Sequence, residues 1–429
     1  METFIMGRMA KFIINGGKPL KGEIEVAGAK NAALKIFPAV FLTKETIRIS
    51  NLPVIEDVLR SEEMVKVLGH EVSRVSDRAV EINFKTPKCV DLPEGLVNKF
   101  RASVMFIGPM LARCGEVSFP HPGGCVLGAG TRPIDMFLHG FEKMGAKVEI
   151  KENRYRLTAK KLKGATIFFH DVTVTGTESL MMTACLTEGV TILKNCAMEP
   201  EIPALADFLN SIGAKIEGAG TPTIKIKGVK KLGGGEYRLI PDRIEAGTFA
   251  IMAAASKSSD VLIKNCEPAH LEALWWRFDK IGVKYVLGKD SVRILPTKNF
   301  VACDVTTHEY PGFATDLQSP YTVLMTQARG SSLIHETIYD RRLLFADILT
   351  QMGANIIMGD PHRIVVNGPS KLYGRKLISP DIRAGMALII AALIAKGRTE
   401  IDNIYQIDRG YEKLDERLRK LGADIKRLA

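Results

Sequence analysis

The chain has 429 residues, of which 46% are hydrophobic and 25% charged, an ordinary globular composition that excludes a disordered chain. Its length predicts two or more domains with extensive cores. The formal net charge of +11 fits either a solvated basic surface or a basic cleft for small polyanions. Nucleic-acid binding is disfavoured, because no helix-turn-helix, zinc-finger or RNP pattern accompanies the charge.

The cysteine pattern and the absence of long apolar runs predict a cytoplasmic protein with reduced thiols. Residues 1–10 contain no long apolar stretch typical of a secretion signal, and the most apolar run, residues 385–395, is too short to span a membrane. The seven cysteines are odd in number and form no CxxC pair. No His or Cys cluster has the spacing of a zinc site, so we expect no metal. The lack of a membrane-spanning run predicts no membrane partner.

A short phrase recurs along the chain at intervals of roughly 70 residues. It consists of a branched residue or Met, a glycine and usually an alanine, although His70 takes the place of the alanine in the first copy. The six glycines are Gly69, Gly145, Gly213, Gly282, Gly353 and Gly422. Regular spacing of this kind predicts a repeated supersecondary structure.

Each repeat is predicted to contain two helices and several strands. An amphipathic helix precedes the glycine, which ends that helix, and an alternating strand follows. A second, more apolar helix is predicted near residues 30–42, 102–112, 176–187, 245–256, 316–328 and 383–396. The sequence therefore predicts an α/β architecture in two groups of three repeats.

The second helices begin with small residues, and two explanations are open. Small side chains leave the first backbone N–H groups of a helix accessible to an anion, and they also permit close packing between helices. The basic residues Lys30, Arg101 and Arg383 at or beside these helix starts favour an anion site.

Four motifs, together with the repeat, carry a family resemblance. They are AGAKNAAL (27–34), PGGC (122–125) followed by TRPID (131–135), PDRIEAGTF (241–249) and IDRGYE (407–412). The chain resembles the UDP-N-acetylglucosamine 1-carboxyvinyltransferase family of enolpyruvyl transferases from Phe12 to the C-terminus. The resemblance implies a two-domain inside-out α/β barrel with six repeated units, three per domain. The implied domains are residues 30–240, carrying the catalytic loop, and residues 1–29 with 241–429.

The implied reaction is transfer of the enolpyruvyl group of phosphoenolpyruvate to the 3′-hydroxyl of UDP-N-acetylglucosamine, with release of phosphate. In that family it is the first committed step of peptidoglycan synthesis, and thus serves cell-wall growth, cell shape and division, and it is the target of fosfomycin. Addition and elimination need an acid, a base and cations around a phosphate and a carboxylate. The expected partners are the two small substrates, with no cofactor.

The resemblance assigns the acid and base roles. Cys125 matches the catalytic cysteine, which acts as general acid once nearby cations lower its pKa. Asp316 matches the residue that faces the sugar hydroxyl; its alternative role is to cap the helix over 316–328. An isolated cysteine is more often a buried core residue, which is our prediction for Cys114 and Cys185, both in apolar helices.

The remaining site residues are also assigned by the match. Those for phosphoenolpyruvate are Lys30, Arg132, Arg342, Arg383 and Arg409, with Arg132 and Arg409 at the phosphate and Arg342 and Arg383 at the carboxylate. Those for UDP-N-acetylglucosamine are Asn31, Arg101, Arg132, Pro133, Ile134, Asp135, Met136, Val172, Thr173, Val174, Thr175, Asp316 and Ile338. Lys30 also counts among the catalytic residues.

Two departures from the family pattern accompany these assignments. The stretch VLGAGT between Cys125 and Arg132 is two residues longer than the family usually has, and Arg341 and Arg342 compete as the arginine of the site, with Arg342 favoured. The alternatives are a transferase for shikimate 3-phosphate, which should not need the PGGC loop, and a non-catalytic paralogue that binds a UDP-sugar. The sequence leaves the oligomeric state open.

Overall fold

The computed structural model describes residues 10–86, 90–120, 134–152 and 154–428. These residues form a mixed α/β fold. The α-helices are α1 Lys30–Ala39, α2 Glu56–Val67, α3 Glu94–Val97, α4 Ile107–Cys114, α5 Asp135–Lys143, α6 Val174–Ala184, α7 Glu201–Ser211, α8 Arg243–Ala255, α9 Glu272–Ile281, α10 Gln318–Met325, α11 Phe345–Gln351, α12 Ile382–Ile394, α13 Tyr405–Asp408 and α14 Leu414–Lys420. Short 3₁₀ turns cover Val40–Leu42, Arg101–Phe106, Pro268–Leu271 and Thr315–Leu317.

The strands are short and lie between the helices in the chain. They are β1 Lys11–Asn15, β2 Lys21–Glu25, β3 Ile47–Ser50, β4 Glu71–Ser76, β5 Ala79–Asn83, β6 Glu116–Pro120, β7 Lys147–Lys151, β8 Arg154–Thr158, β9 Thr166–Phe168, β10 Val190–Lys194, β11 Ile216–Glu217, β12 Thr223–Lys227, β13 Gly235–Arg238, β14 Asp260–Lys264, β15 Tyr285–Leu287, β16 Ser291–Ile294, β17 Val305–Thr306, β18 Gly330–His335, β19 Asn355–Asp360, β20 Arg363–Gly368, β21 Lys376–Ile378, β22 Arg398–Asp402 and β23 Asp424–Leu428.

The described residues separate into two compact units. One, here called the 28–240 unit, contains residues 28–120 and 134–240; the other, the 241–428 unit, contains residues 10–27 and 241–428. Within the described ranges the 28–240 unit has the sheets β13-β3-β5-β4, β6-β8-β7 and β11-β12-β10-β9. The 241–428 unit has β15-β16-β14-β2, β17-β18-β20-β19 and β21-β22-β1-β23. Each unit has its own apolar core.

Apolar helices form the centre of each core. In the 241–428 unit α8, α10 and α12 pack against one another, and α12 is buried continuously from Ala384 to Leu393. In the 28–240 unit α4 packs against α6, and α1 packs against α7. The sheets cover these helices with alternating buried and exposed residues, as in β12 and β22.

The second helices predicted from the repeat are confirmed, with shifts of a few residues at their ends. Two of the six, those near 102–112 and 316–328, begin as 3₁₀ turns before the α-helical hydrogen bonds start. The six glycines predicted to end helices all have positive φ angles, between 85° and 106°. This left-handed conformation carries little cost for glycine and ends a helix by turning the chain.

Close packing explains the small residues at two of the helix starts. A Cβ atom at Gly385 would lie 2.5 Å from the Ser379 hydroxyl oxygen, and one at Gly247 would lie 2.7 Å from the Leu317 side chain. Any larger residue would force these neighbours apart. Close packing therefore accounts for the glycines at both positions, independently of whether these helix N-termini also bind an anion.

One cysteine prediction is wrong and one is confirmed. Cys114 is exposed, because it is the last residue of α4 and Gly115 then turns the chain with φ 73°. Cys185 is buried at the end of α6, where burial raises the pKa of its thiol to about 12. No described helix combines the length and apolar character needed to cross a membrane. The described residues also contain no group of three or more potential metal ligands.

Candidate functional site

The turn that carries Asp316 lies between a Pro- and Gly-containing segment and α10. Thr315–Leu317 forms a single 3₁₀ turn, and α10 then starts at Gln318. The N-cap position of α10 is Leu317, without a side-chain capping bond, and Asp316 makes no capping bond to its own turn. The alternative helix-capping role of Asp316 is therefore wrong, and its carboxylate is directed to other partners.

Two arginines contact the Asp316 carboxylate. Arg342 Nη2 lies 2.5 Å and Arg383 Nε 3.1 Å from Asp316 Oδ1. The three side chains are only partly accessible, with exposed fractions of 27% for Asp316, 16% for Arg342 and 14% for Arg383. Arg341, the competing candidate, is exposed and has a positive φ of 58°. The structure thus brings Asp316, Arg342 and Arg383 together.

The charges in this cluster reinforce one another. Burial alone would raise the pKa of the Asp316 carboxyl, but Arg383 and Arg342, with a smaller contribution from Arg243, hold that pKa well below its usual range. Burial would lower the pKa of both arginines, but the Asp316 carboxylate and weaker contributions from neighbouring groups together raise these pKa values. The cluster is fully ionised at neutral pH and has more cations than carboxylates, which suits an anionic ligand.

Capped helix N-termini fix the positions of Arg383 and of the nearby Arg243. Asp381 caps α12 by accepting the backbone N–H groups of Arg383 and Ala384 at 2.6 and 3.0 Å, which fixes the first turn that carries Arg383. Asp242 caps α8 in the same way, accepting from Ile244 and Glu245, and so fixes the turn of Arg243. The PDRIE motif therefore has a local structural role as a helix start.

Arg383 also contacts a buried tyrosine. Its Nη1 donates to Tyr411 Oη at 3.4 Å, and that hydroxyl lies 3.0 Å from Thr248 Oγ1. Burial raises the pKa of Tyr411 to about 12, although Arg383 and Thr248 act in the opposite direction. Tyr411 therefore remains a neutral hydroxyl beside the arginine. Arg409, from the same motif, follows α13 and donates to Gln406 Oε1 at 3.2 Å.

In the 28–240 unit the predicted Lys30 forms a mostly buried ion pair. Its Nζ lies 2.8 Å from Asp57 Oδ2, and the two side chains are 10% and 7% exposed. Lys30 is the first residue of α1, and Asp57 lies in the first turn of α2. A buried lysine needs such a partner to remain charged. Asn31, the next residue, is half-buried.

The other predicted residues of this unit are on helix starts. Thr173 caps α6, its side chain accepting from the Gly176 N–H at 3.2 Å, so residues 172–175 lead directly into a helix N-terminus. Ile134, Asp135 and Met136 form the start of α5. Arg101 begins a 3₁₀ turn and is half-buried. Cys125, Arg132 and Pro133 lie outside the described residues.

Several contact residues were missed by the sequence analysis. Asp57 pairs with Lys30, and Thr315 and Tyr411 bond to the predicted arginines. Glu336 is fully buried next to Thr315. The only signal for Glu336 in the sequence is a carboxylate in a short stretch between the apolar residues Ile334 and Ile338, because a buried carboxylate requires partners.

Comparisons with known proteins give the family. The family model described as EPSP synthase (3-phosphoshikimate 1-carboxyvinyltransferase) matches residues 14–418. The UDP-N-acetylglucosamine 1-carboxyvinyltransferase of Koribacter versatilis is 45% identical and aligns with 98% of this chain and 97% of its own length. The enzyme of that name from Acidobacterium capsulatum is 43% identical over 98% and 96%. The chain belongs to the UDP-N-acetylglucosamine 1-carboxyvinyltransferase family.

Solved structures agree with this membership. The enolpyruvyl transferase NikO from Streptomyces tendae superimposes with a TM-score of 0.88 at 25% identity, covering 98% of this chain and 99% of its own. An EPSP synthase from Acinetobacter baumannii has a TM-score of 0.73 at 17% identity, covering 98% of this chain and 100% of its own, and shows the shared fold alone. The predictions of the family, of a transferase and of a mixed α/β enolpyruvyl transferase fold are confirmed.

Proposed function

We propose that the chain transfers the enolpyruvyl group of phosphoenolpyruvate to the 3′-hydroxyl of UDP-N-acetylglucosamine and releases phosphate. The observation that carries the proposal is similarity over nearly the whole chain, at 45% identity, to a relative named for this activity. The Asp316–Arg342–Arg383 cluster supports it, because two arginines around one carboxylate suit an anionic substrate.

Arg342 and Arg383 bind the carboxylate of phosphoenolpyruvate in this proposal, and Asp316 removes or orients the proton of the sugar hydroxyl. As arranged here, Asp316 is a weak base, because two guanidinium groups stabilise its ionised form. A substrate carboxylate bound by the same arginines offsets their charge and raises the pKa of Asp316. Substrate binding thereby makes Asp316 a better base when it is needed.

The other phosphoenolpyruvate contacts rest on the family motifs. Lys30 contacts phosphoenolpyruvate, Arg132 and Arg409 bind its phosphate, and Cys125 protonates C3 as general acid. Lys30 is supported by its mostly buried pairing with Asp57, which keeps the ammonium group charged and fixed. A fixed cation stabilises the charge that develops as the phosphate leaves.

The nucleotide sugar is assigned to residues of the family pattern. Asn31 and Arg101 contact the sugar, and residues 132–136 with Ile338 contact the nucleotide. Residues 172–175 bind the diphosphate through backbone N–H groups, and the Thr173-capped start of α6 supports this assignment.

The proposed function implies a domain architecture and a cellular role. We propose that residues 30–240, and residues 1–29 with 241–429, are the two enolpyruvyl transferase domains, each an inside-out α/β barrel of three repeats. Three sheets in each described unit support this arrangement. The proposed place of action is the cytoplasm, in peptidoglycan synthesis for cell-wall growth and division, with fosfomycin as an inhibitor acting at Cys125.

Phosphate release tests the reaction. The purified chain is incubated with phosphoenolpyruvate and either UDP-N-acetylglucosamine or shikimate 3-phosphate, and free phosphate is measured. We expect release only with UDP-N-acetylglucosamine. Release with shikimate 3-phosphate instead would contradict the proposed acceptor, and binding of UDP-N-acetylglucosamine without turnover would favour the non-catalytic paralogue.

Mass spectrometry tests the role of Cys125. Incubation with phosphoenolpyruvate should add one covalent group to the protein, and the Cys125→Ser variant should lose the adduct and the activity. Cys114→Ser is the matched control, because Cys114 is exposed and would be labelled by any non-selective thiol reaction. An adduct that persists in Cys125→Ser and disappears in Cys114→Ser would contradict the assignment.

A further inference from the structure

Glu336 is a fully buried carboxylate that the proposed reaction does not use. It follows β18 directly, and its Oε1 accepts the backbone N–H groups of Ile338 and Tyr339 at 2.9 and 3.1 Å. These two bonds fix the turn through which the chain runs from β18 toward Arg342. A buried carboxylate with no cation in direct contact needs strong hydrogen bonds to remain ionised.

The Thr315 hydroxyl supplies the next bond to Glu336. Thr315 Oγ1 lies 2.9 Å from both Oε1 and Oε2 of Glu336 and donates its proton to that carboxylate. A hydroxyl has one proton, so its lone pairs are left for a donor. Arg342 Nη1 occupies that position and donates to Thr315 Oγ1 at 2.9 Å. The hydroxyl therefore links Glu336 to Arg342 in one fixed direction.

The guanidinium of Arg342 is held at both ends of its planar fork. Nη1 donates to Thr315 and Nη2 to Asp316, two consecutive residues of the same 3₁₀ turn. The ring of Tyr339 lies against the guanidinium, with its centre 5.0 Å from Cζ. These contacts leave the plane of the guanidinium little freedom to rotate.

The two bonds differ in how a substrate carboxylate would affect them. Asp316 is charged, so an incoming carboxylate competes with it for Nη2 and for Arg383. Thr315 is neutral, so it holds Nη1 without cancelling the positive charge of the arginine. The Thr315 hydroxyl thus fixes the orientation of the Arg342 guanidinium, and the positive charge of that group stays available to a ligand.

We propose that Thr315 is a positioning residue that orients Arg342 for the carboxylate of phosphoenolpyruvate through its hydrogen bond to Glu336. This inference rests on the proposed function, which assigns Arg342 to that carboxylate. Thr315 itself is not required to touch the substrate. Loss of its hydroxyl should affect phosphoenolpyruvate more than the nucleotide sugar.

The kinetic test compares Thr315→Val with Thr315→Ser in the full-length protein. Valine is close in shape to threonine but lacks the hydroxyl, whereas serine keeps it. Because the hydroxyl bonds to charged groups on both sides, we expect Thr315→Val to raise the KM for phosphoenolpyruvate by about 10- to 100-fold. The KM for UDP-N-acetylglucosamine and inhibition by inorganic phosphate should change by less than about threefold, since neither depends on this arginine orientation. Thr315→Ser should restore the KM for phosphoenolpyruvate to near the native value.

Equal increases in both KM values, or a native KM for phosphoenolpyruvate in Thr315→Val, would overturn the proposal. Thr315→Ala provides a second hydroxyl-free variant if the valine protein does not fold. A crystal structure of either variant adds a readout that does not need turnover: the Arg342 guanidinium should rotate out of its position beside residue 315. An unchanged guanidinium would contradict the inference even if the wild-type protein proved inactive, so the two failures remain distinguishable.

Discussion

Two carboxyl groups, the half-buried Asp316 in the 241–428 unit and the fully buried Glu178 in the 28–240 unit, differ in opposite directions from their ordinary pKa values. Asp316 contacts two guanidinium groups, which hold its pKa well below the usual range in spite of burial. Glu178 is fully buried with one ammonium group, Lys35 Nζ, at 3.2 Å. Burial raises the pKa of Glu178 to about 7; Lys35 opposes that shift, and Glu199 and Glu201 add to it.

The local balance of charges, together with the exposure of the side chain, decides which carboxyl remains ionised. The Asp316 carboxylate is itself in contact with two guanidinium groups, and such an excess of cations suits an anionic substrate. Around Glu178 carboxylates outnumber cations, which disfavours any anionic ligand. The Lys35–Glu178 pair joins α1 to α6 and is best explained as a structural contact between two core helices.

Replacing Asp316 and Glu178 by their neutral amides should distinguish a catalytic carboxylate from a structural one by a large difference in kcat/KM. Asp316→Asn should lower kcat/KM by about 10²- to 10⁴-fold, because it removes the proposed base and the partner of two arginines. Glu178→Gln should leave kcat/KM within about threefold, since this side chain does not contact the proposed site. Phosphate release with both substrates measures each variant. Equal decreases of kcat/KM in the two variants, or full activity in Asp316→Asn, would contradict the different roles assigned to the two carboxyl groups.

The features that recur in each repeat, a helix-ending glycine and an apolar helix, could be predicted from the sequence. The six glycines and the apolar helices follow from spacing along the chain, and all adopt the predicted conformations. Position-by-position matches to the family assigned the residues of the Asp316 cluster, which lie outside the four motifs. They could not reveal Glu336, whose bond to Thr315 joins residues 21 positions apart in the chain.

Ion pairs between residues far apart in the sequence could not be predicted, because no local sequence pattern specifies them. Asp57 looked like an ordinary acidic residue in the first turn of a helix, where carboxylates are common for electrostatic reasons. Its pairing with Lys30 depends on how α1 and α2 pack. Cys114 was predicted to be buried from the apolar residues around it, but position within α4 decided its exposure.

His70, in the same unit as Glu178, is a second buried titratable group whose pKa depends on burial. His70 lies between the rings of Phe41 and Phe84, with centres 4.2 and 5.2 Å away, and among the described residues neither ring nitrogen has a hydrogen-bond partner. Burial, with a contribution from Arg113, lowers the pKa of His70 from 6.5 to about 4. The unfolded chain therefore takes up a proton more readily than the folded one.

The free energy of unfolding should accordingly fall as pH decreases from 6.5 to 4, by up to about 3 kcal/mol from His70 alone. Urea denaturation at several pH values measures it. The His70→Leu variant keeps an apolar side chain between the two aromatic rings and should lose this part of the slope. An identical pH dependence in the variant and the wild-type protein would show that His70 is not the neutral buried group described here.

Glu178 should give a pH dependence of stability that is similar in size and opposite in sign. Its folded pKa is raised from 4.5 to about 7, so the folded protein holds the proton more firmly, and stability is lost as pH rises through that interval. We expect a loss of up to about 3 kcal/mol, similar to that from His70, because the two pKa shifts are equal in size and the pKa of Glu178 already includes the effect of Lys35. The pH dependences from His70 and Glu178 partly cancel in the wild-type protein, so each is measured in a variant that lacks the other titratable group.

In His70→Leu, the free energy of unfolding should decrease from pH 5 to pH 8, and adding Glu178→Gln should flatten that decrease. Lys35→Met should steepen it instead, because the ionised carboxylate then lacks its ammonium partner. A flat profile in both double variants would mean that Glu178 is ionised across the whole range, as Asp316 is.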